Sequence, residues 1–103
     1  MIRVSIDTDE LVFMLDGHAG YAPIGQDIVC ASASMLAATL FQRVLDLVDD
    51  VELGDCEMEP GHASLDVQPI SASRAAGCRH AFETVYTGFK LLQQRYPEHV
   101  VID

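Results

Sequence analysis

"IRVSIDTDELVFMLD", residues 2–16, is the stretch that decides the fold class. Ile2, Val4 and Ile6 alternate with Arg3, Ser5 and Asp7, the period of a strand with one buried face. Thr8, Asp9 and Glu10 supply a polar turn, and Leu11 to Asp16 is an apolar run short enough to be a second strand. The pair therefore reads as an antiparallel hairpin. Such a hairpin needs another layer over its apolar face, which the rest of the chain must provide.

Two segments have the pattern for it. From Ile28 to about Val48 there is no glycine or proline, and Leu36, Leu40, Val44, Leu47 and Val48 recur at helical spacing behind Asp27, a good N-cap. After Pro69, Ser71 and Ser73 can cap a second helix on which Cys78, Phe82, Val85, Phe89, Leu92 and Tyr96 form one apolar stripe, until Pro97 stops it. Between the helices lies "DDVELGDCEMEPGHASLDVQP", residues 49–69. There Val51 and Leu53 alternate with Glu52, and Ala63, Leu65 and Val67 alternate with Ser64 and Asp66. Gly54-Asp55 breaks the first strand and Pro60-Gly61 turns the chain into the second. "HVVID" remains as a closing strand. The predicted fold is α+β: a mostly antiparallel sheet of four to five strands with two helices packed on it, in the order strand, strand, helix, strand, strand, helix, strand. Residues 1–103 form a single domain with no internal repeat or linker.

Composition bounds the function. A chain of 103 residues, 50% of them apolar, can bury one core. No apolar run approaches the roughly 18 residues that span a bilayer, and the N-terminus lacks a secretory signal, so a cytoplasmic protein is expected. Cys30, Cys56 and Cys78 are odd in number and contain no CxxC pair, which argues against a disulfide framework or a four-cysteine zinc site. With 6 basic against 16 acidic residues the net charge of −10 repels phosphate backbones, so no nucleic-acid partner is expected. A basic partner fits better, although acidity also serves plain solubility.

The chemistry concentrates in "GHAGYAPIGQDIVCASAS", residues 17–34. With Asp27 as N-cap, Cys30 is the third helical residue, where orphan N–H groups and the helix dipole favour an anion. His18 ends the preceding strand, and Gly17, Gly20, Pro23 and Gly25 can turn the chain back so that the imidazole reaches the sulfur. A histidine there can take the thiol proton and later protonate a leaving amine. Asp27 has two uses, capping the helix or pairing with His18, and the cap is favoured. Ser34 lies one turn beyond Cys30 and can either line the site or bond back to the Cys30 carbonyl. Tyr21, with Gly20 in the same loop, can contact or gate an extended substrate. Spacing alone leaves open a second reading, in which cysteine and histidine are merely packed and solvated.

Gly17-His18-Ala19, the glycine at 25, Asp27 to Ala31 and Ser34 together resemble the signature of the ribosomal-processing cysteine protease family, usually called Prp. The N-terminal hairpin and the "YPEHVVI" ending also look like that family, so the resemblance covers nearly the whole chain. It implies a cytosolic endopeptidase that removes the N-terminal extension of a large-subunit ribosomal protein, cutting after an apolar and aromatic stretch. It implies Cys30 as nucleophile, His18 as general base, Gly17, Gly25, Asp27 and Ser34 in support, no cofactor, and a homodimer. Ser32 and Ala33 depart from the Ala-Val-like pair common there.

The remaining candidates carry little. Cys56 and Cys78 fall where cysteine usually acts as a small hydrophobe. His62, His80 and His99 lie on a turn, a helix and the last strand, without zinc-ligand spacing, so no metal is expected. The alternative function is a non-enzymatic acidic binding module for a basic ribosomal protein or assembly factor, with a thiol-redox sensor behind it. The glycines also lead to the expectation of a mobile loop, and of His18 and Cys30 standing apart until substrate binds.

Overall fold

In the computed structural model, which describes residues 1–103, the opening hairpin forms as the alternation requires. Strands β1 (Ile2–Asp7) and β2 (Val12–Asp16) pair antiparallel, with Val4 opposite Leu15 and Ile6 opposite Phe13. Leu11 belongs to the turn rather than the strand, because its φ is +58°. Helix α1 (Ile28–Leu47), strands β3 (Leu53–Glu59) and β4 (His62–Val67), helix α2 (Ala72–Arg95) and strand β5 (Val100–Ile102) follow. The sheet order is β3-β4-β2-β1-β5, antiparallel except for β5, which runs parallel to β1. The α+β class and element order read from the sequence are those of the molecule.

Phe13 shows what holds the layers together. It is fully buried in the central strand β2, and its ring meets Phe41 of α1 edge-on at 6.2 Å and Phe89 of α2 at 5.8 Å. One side chain thus joins the sheet to both helices, and burying it stabilises the fold by about 1.5–3 kcal/mol. The helices themselves approach closely at Gly88, where an added Cβ would lie 2.5 Å from Leu36 Cδ2. By length and composition α1 is apolar enough to cross a membrane, but Val29, Ala33, Ala37, Leu40, Phe41 and Val44 are all packed into this core.

The sequence misleads at 50–52. The Val51/Leu53 alternation suggests a strand, but Asp50–Glu52 is a 3-10 turn that leaves Val51 exposed and Glu52 buried. The polar contacts account for it. The Glu52 carboxylate accepts the N–H groups of Asp49 and Ile70, each at 2.9 Å, and is bonded by the Arg74 guanidinium. The two backbone donors, with Arg74 beside them, hold the carboxyl below its usual range against the opposing effect of burial. A buried carboxylate satisfied in this way ties the start of β3 to the start of α2.

The other face of the sheet carries no helix. Cross-strand register places Asp7, Asp16, Glu57, Glu59 and Asp66 on it, around a partly exposed Val12 and Met14, with Asp55 bonded to Ser64 on the same side. Six of the sixteen acidic residues thus share this face, with Arg3 beside Asp16 and His62 among them.

Candidate active site

The site is built where β2 leaves the sheet. Gly17 has φ +98°, and a Cβ there would run into the Met1 carbonyl oxygen, so the chain can cross β1 at this point only with glycine. Its N–H donates to the Gly61 carbonyl at 2.9 Å, and the Met1 ammonium donates to the His18 carbonyl. His18 is thereby held over the β3–β4 turn. A Cβ at Gly61 would lie 2.7 Å from His18 Nε2, so the imidazole rests on backbone that carries no side chain.

Cys30 comes from the helix side. Asp27 is the N-cap of α1: one carboxylate oxygen accepts from Val29 N at 3.0 Å and Cys30 N at 2.9 Å. The other oxygen accepts from Tyr21 N at 3.0 Å and Ala22 N at 3.3 Å. The carboxylate thus joins the loop to the helix start. Burial pushes the Asp27 carboxyl up, but the four backbone N–H donors outweigh it and hold the group below its ordinary value. Of its two possible uses, Asp27 adopts the cap and makes no pair with His18. The two N–H groups at the helix start are spent on it.

His18 and the half-buried Cys30 line one cleft of about 260 Å³, with α1 on one side and the β3–β4 turn on the other. No hydrogen bond joins imidazole and sulfur. Instead Cys30 Sγ accepts the backbone N–H of Ala19 at 3.2 Å. Ser34 lines the same cleft, and its hydroxyl does not bond back to the Cys30 carbonyl. Among the supporting residues, Gly25 and Gly20 adopt positive φ with open space around them, which serves turning of the loop rather than close packing. Tyr21 is not a free flap: its ring stands edge-on to Tyr96 at 5.3 Å and to His99 at 5.4 Å. The segment from Ala19 to Ala22 is tied down on both sides, and residues 23–26 form a turn in which the Gln26 N–H donates to the Pro23 carbonyl at 2.9 Å.

Three neighbours of the site were given no role by the sequence. Gly61 is read there only as a turn. His62 also lines the cleft, with Nδ1 2.6 Å from Asp16 and Nε2 3.4 Å from Glu57. Its hydrogen bond to Asp16 raises its pKa, burial opposes this, and the charges of Asp16, Glu57 and Glu59 add to the rise. The pairing of β2 with β4 is the signal that would have found it, since it sets Asp16 opposite His62. His99 bonds the Ala19 carbonyl through Nδ1 at 2.9 Å, a contact between residues 80 apart that no local pattern announces. Of the other thiols, Cys78 is fully buried and burial pushes its pKa up. Cys56 is exposed, contrary to its reading as a buried hydrophobe, because β3 is an edge strand whose outer side is uncovered.

Comparison with known proteins places this geometry. A search of curated proteins finds no match. Among solved structures, the chain is similar to an essential ribosomal processing protease Prp from S. aureus in complex with a covalently linked product peptide. The TM-score is 0.81 at 22% identity, covering 100% of this chain and 98% of that one. It is also similar to SMU.848 from Streptococcus mutans, with a TM-score of 0.74 at 30% identity over 100% of this chain and 92% of that one. The S. aureus protease in complex with a substrate peptide gives 0.70 at 18% identity, over 99% and 95%. Those at 22% and 18% identity speak for the fold alone. The sequence itself carries the assignment: residues 1–101 match the family model described as Cysteine protease Prp, and the chain belongs to that family.

Proposed function

We propose that this chain is an endopeptidase that removes the N-terminal extension of a large-subunit ribosomal protein, with Cys30 as nucleophile and His18 as general base and acid. The observation that carries this reading is the shared cleft: the two side chains reach it from separate elements, and an amide N–H already points at the sulfur. His18 takes the thiol proton, the sulfur forms a bond to the scissile carbonyl carbon, and the tetrahedral species expels the amine, which receives the proton from His18. Water then hydrolyses the thioester, with His18 as base, and returns the free thiol. Asp27 fixes the helix start, Gly17 and Gly25 shape the loop, and Ser34, with its hydroxyl in the cleft, is placed to donate to a substrate oxygen. Closure of imidazole on sulfur is left to substrate binding. No cofactor takes part, the work is done in the cytoplasm, and the protein acts as a homodimer.

The acidic open sheet face supports the substrate class. Proteins that bind ribosomal RNA neutralise phosphates with lysine and arginine, and such a body complements Asp7, Asp16, Glu57, Glu59 and Asp66. The test is mass spectrometry of an extended ribosomal protein incubated with the enzyme. A single cut that releases the extension is expected, slowing as salt is raised because exposed charges are screened. A short peptide without the basic body should be cut with little salt dependence. Binding of the extended protein without any cut would instead support the acidic binding module and overturn the protease assignment.

A further inference from the structure

We infer that His99 is a positioning residue for the cysteine: it holds Ala19 so that the backbone N–H of that residue stays aimed at Cys30 Sγ. The inference rests on the reading of Cys30 as nucleophile and adds a residue that neither the loop nor the helix start contains.

Ala19 is buried and is held by its two backbone groups in opposite directions. Its N–H donates to Cys30 Sγ at 3.2 Å, and its carbonyl meets His99 Nδ1 at 2.9 Å. A carbonyl oxygen only accepts, so Nδ1 carries the proton, which fixes the imidazole state on that side. The groups beside His99 keep the ring in place. Its own carbonyl accepts from Ile2 N at 2.9 Å and its N–H donates to the Tyr96 carbonyl at 2.9 Å, while the Tyr21 ring packs edge-on against the imidazole. The donor is thus mounted on the sheet edge at the end of the chain, and it reaches back to the residue that follows His18. Ala19 cannot tilt away from the sulfur without breaking this bond, and any tilt would also move the backbone of His18. Sulfur accepts weakly as a thiol and strongly as a thiolate. The fixed N–H therefore matters most when Cys30 is ionised for attack or is expelled from the acyl intermediate.

Two substitutions separate holding the carbonyl from filling space. His99→Asn keeps an N–H donor near the position of Nδ1 but loses the ring. His99→Phe keeps a ring against Tyr21 but has no donor. With folding checked by melting temperature, His99→Phe is expected to lower kcat roughly ten- to a hundredfold with KM little changed, as slight misplacement of a reacting group does. It should also slow alkylation of Cys30 by iodoacetamide, a readout that does not depend on proteolysis. His99→Asn is expected to recover most of both rates. Recovery by Phe and not by Asn, equal loss in both, or loss in neither would overturn the inference. Nitrogen NMR of the unsubstituted protein gives a check that needs no variant: Nδ1 of His99 should be protonated in mildly alkaline buffer, and an unprotonated Nδ1 would contradict the assignment.

Discussion

Replacing Cys30 with alanine is expected to abolish cleavage of an extended ribosomal protein, a loss on the order of ten-thousandfold or more, because it removes the sulfur on which the acyl intermediate forms. The same change should leave the melting temperature nearly as it was. Cys30 is only half-buried, and the helix start is held by Asp27 through backbone groups that the substitution does not touch. His18→Ala is expected to be almost as damaging to kcat but not fully so, since Ala19 N–H still points at the sulfur and the cleft still binds. Peptide turnover measured beside thermal melts checks both. A folded Cys30→Ala protein that still cleaves would remove the basis for the mechanism.

The second large effect is expected at Asp27, whose one carboxylate holds four N–H groups, two in the loop and two at the helix start. Asp27→Ala frees all four at once. The melting temperature should fall by roughly 5–10 °C through the lost cap alone. Activity should fall further than stability explains, because Tyr21 and Ala22 are no longer tied to the turn bearing Cys30 and the Ala19 N–H to Cys30 Sγ contact is left to hold the loop there unaided. Asp27→Asn keeps an acceptor for one pair of donors only, and should fall between alanine and the natural residue. The pH dependence follows from the direction of the shift. A carboxyl whose folded pKa lies below its unfolded value, near 3.8, contributes stability that is fully present above that value and lost as pH falls through the folded pKa. Acid melts of the natural protein should therefore drop more steeply below about pH 4 than those of Asp27→Ala.

What could be read from the sequence and what could not divides along the range of the contacts. The hairpin, both helices and the Pro60-Gly61 turn were legible because alternation, stripe and cap are written within a few residues of one another. The strand break at Gly54-Asp55 was legible too, and the register does shift between Leu53 and Cys56. The 3-10 turn at 50–52 was not, since its cause is a carboxylate bonded to Arg74, 22 residues away. The same holds at the site. Asp27 as a cap is local and legible, whereas the spacing of His18 and Cys30 allows the two side chains either to meet or to stand apart. Gly61 under the imidazole, His62 in the cleft wall and His99 on the Ala19 carbonyl depend on which strands lie side by side, and a single sequence does not state that. The glycines of the loop suggest mobility, whereas Tyr21 and Asp27 tie half of it down.

The central claim is that one particular thiol of three does the chemistry, and the three differ enough to make it testable in a single measurement. Cys56 is more exposed than Cys30, and Cys78 is buried. A peptidyl chloromethyl ketone carrying the residues that precede the cleavage site, incubated with the folded protein and followed by peptide mapping, should leave its adduct on Cys30, with activity lost in proportion to labelling. An adduct that favours Cys56, or full labelling of Cys30 with cleavage undiminished, would contradict the account.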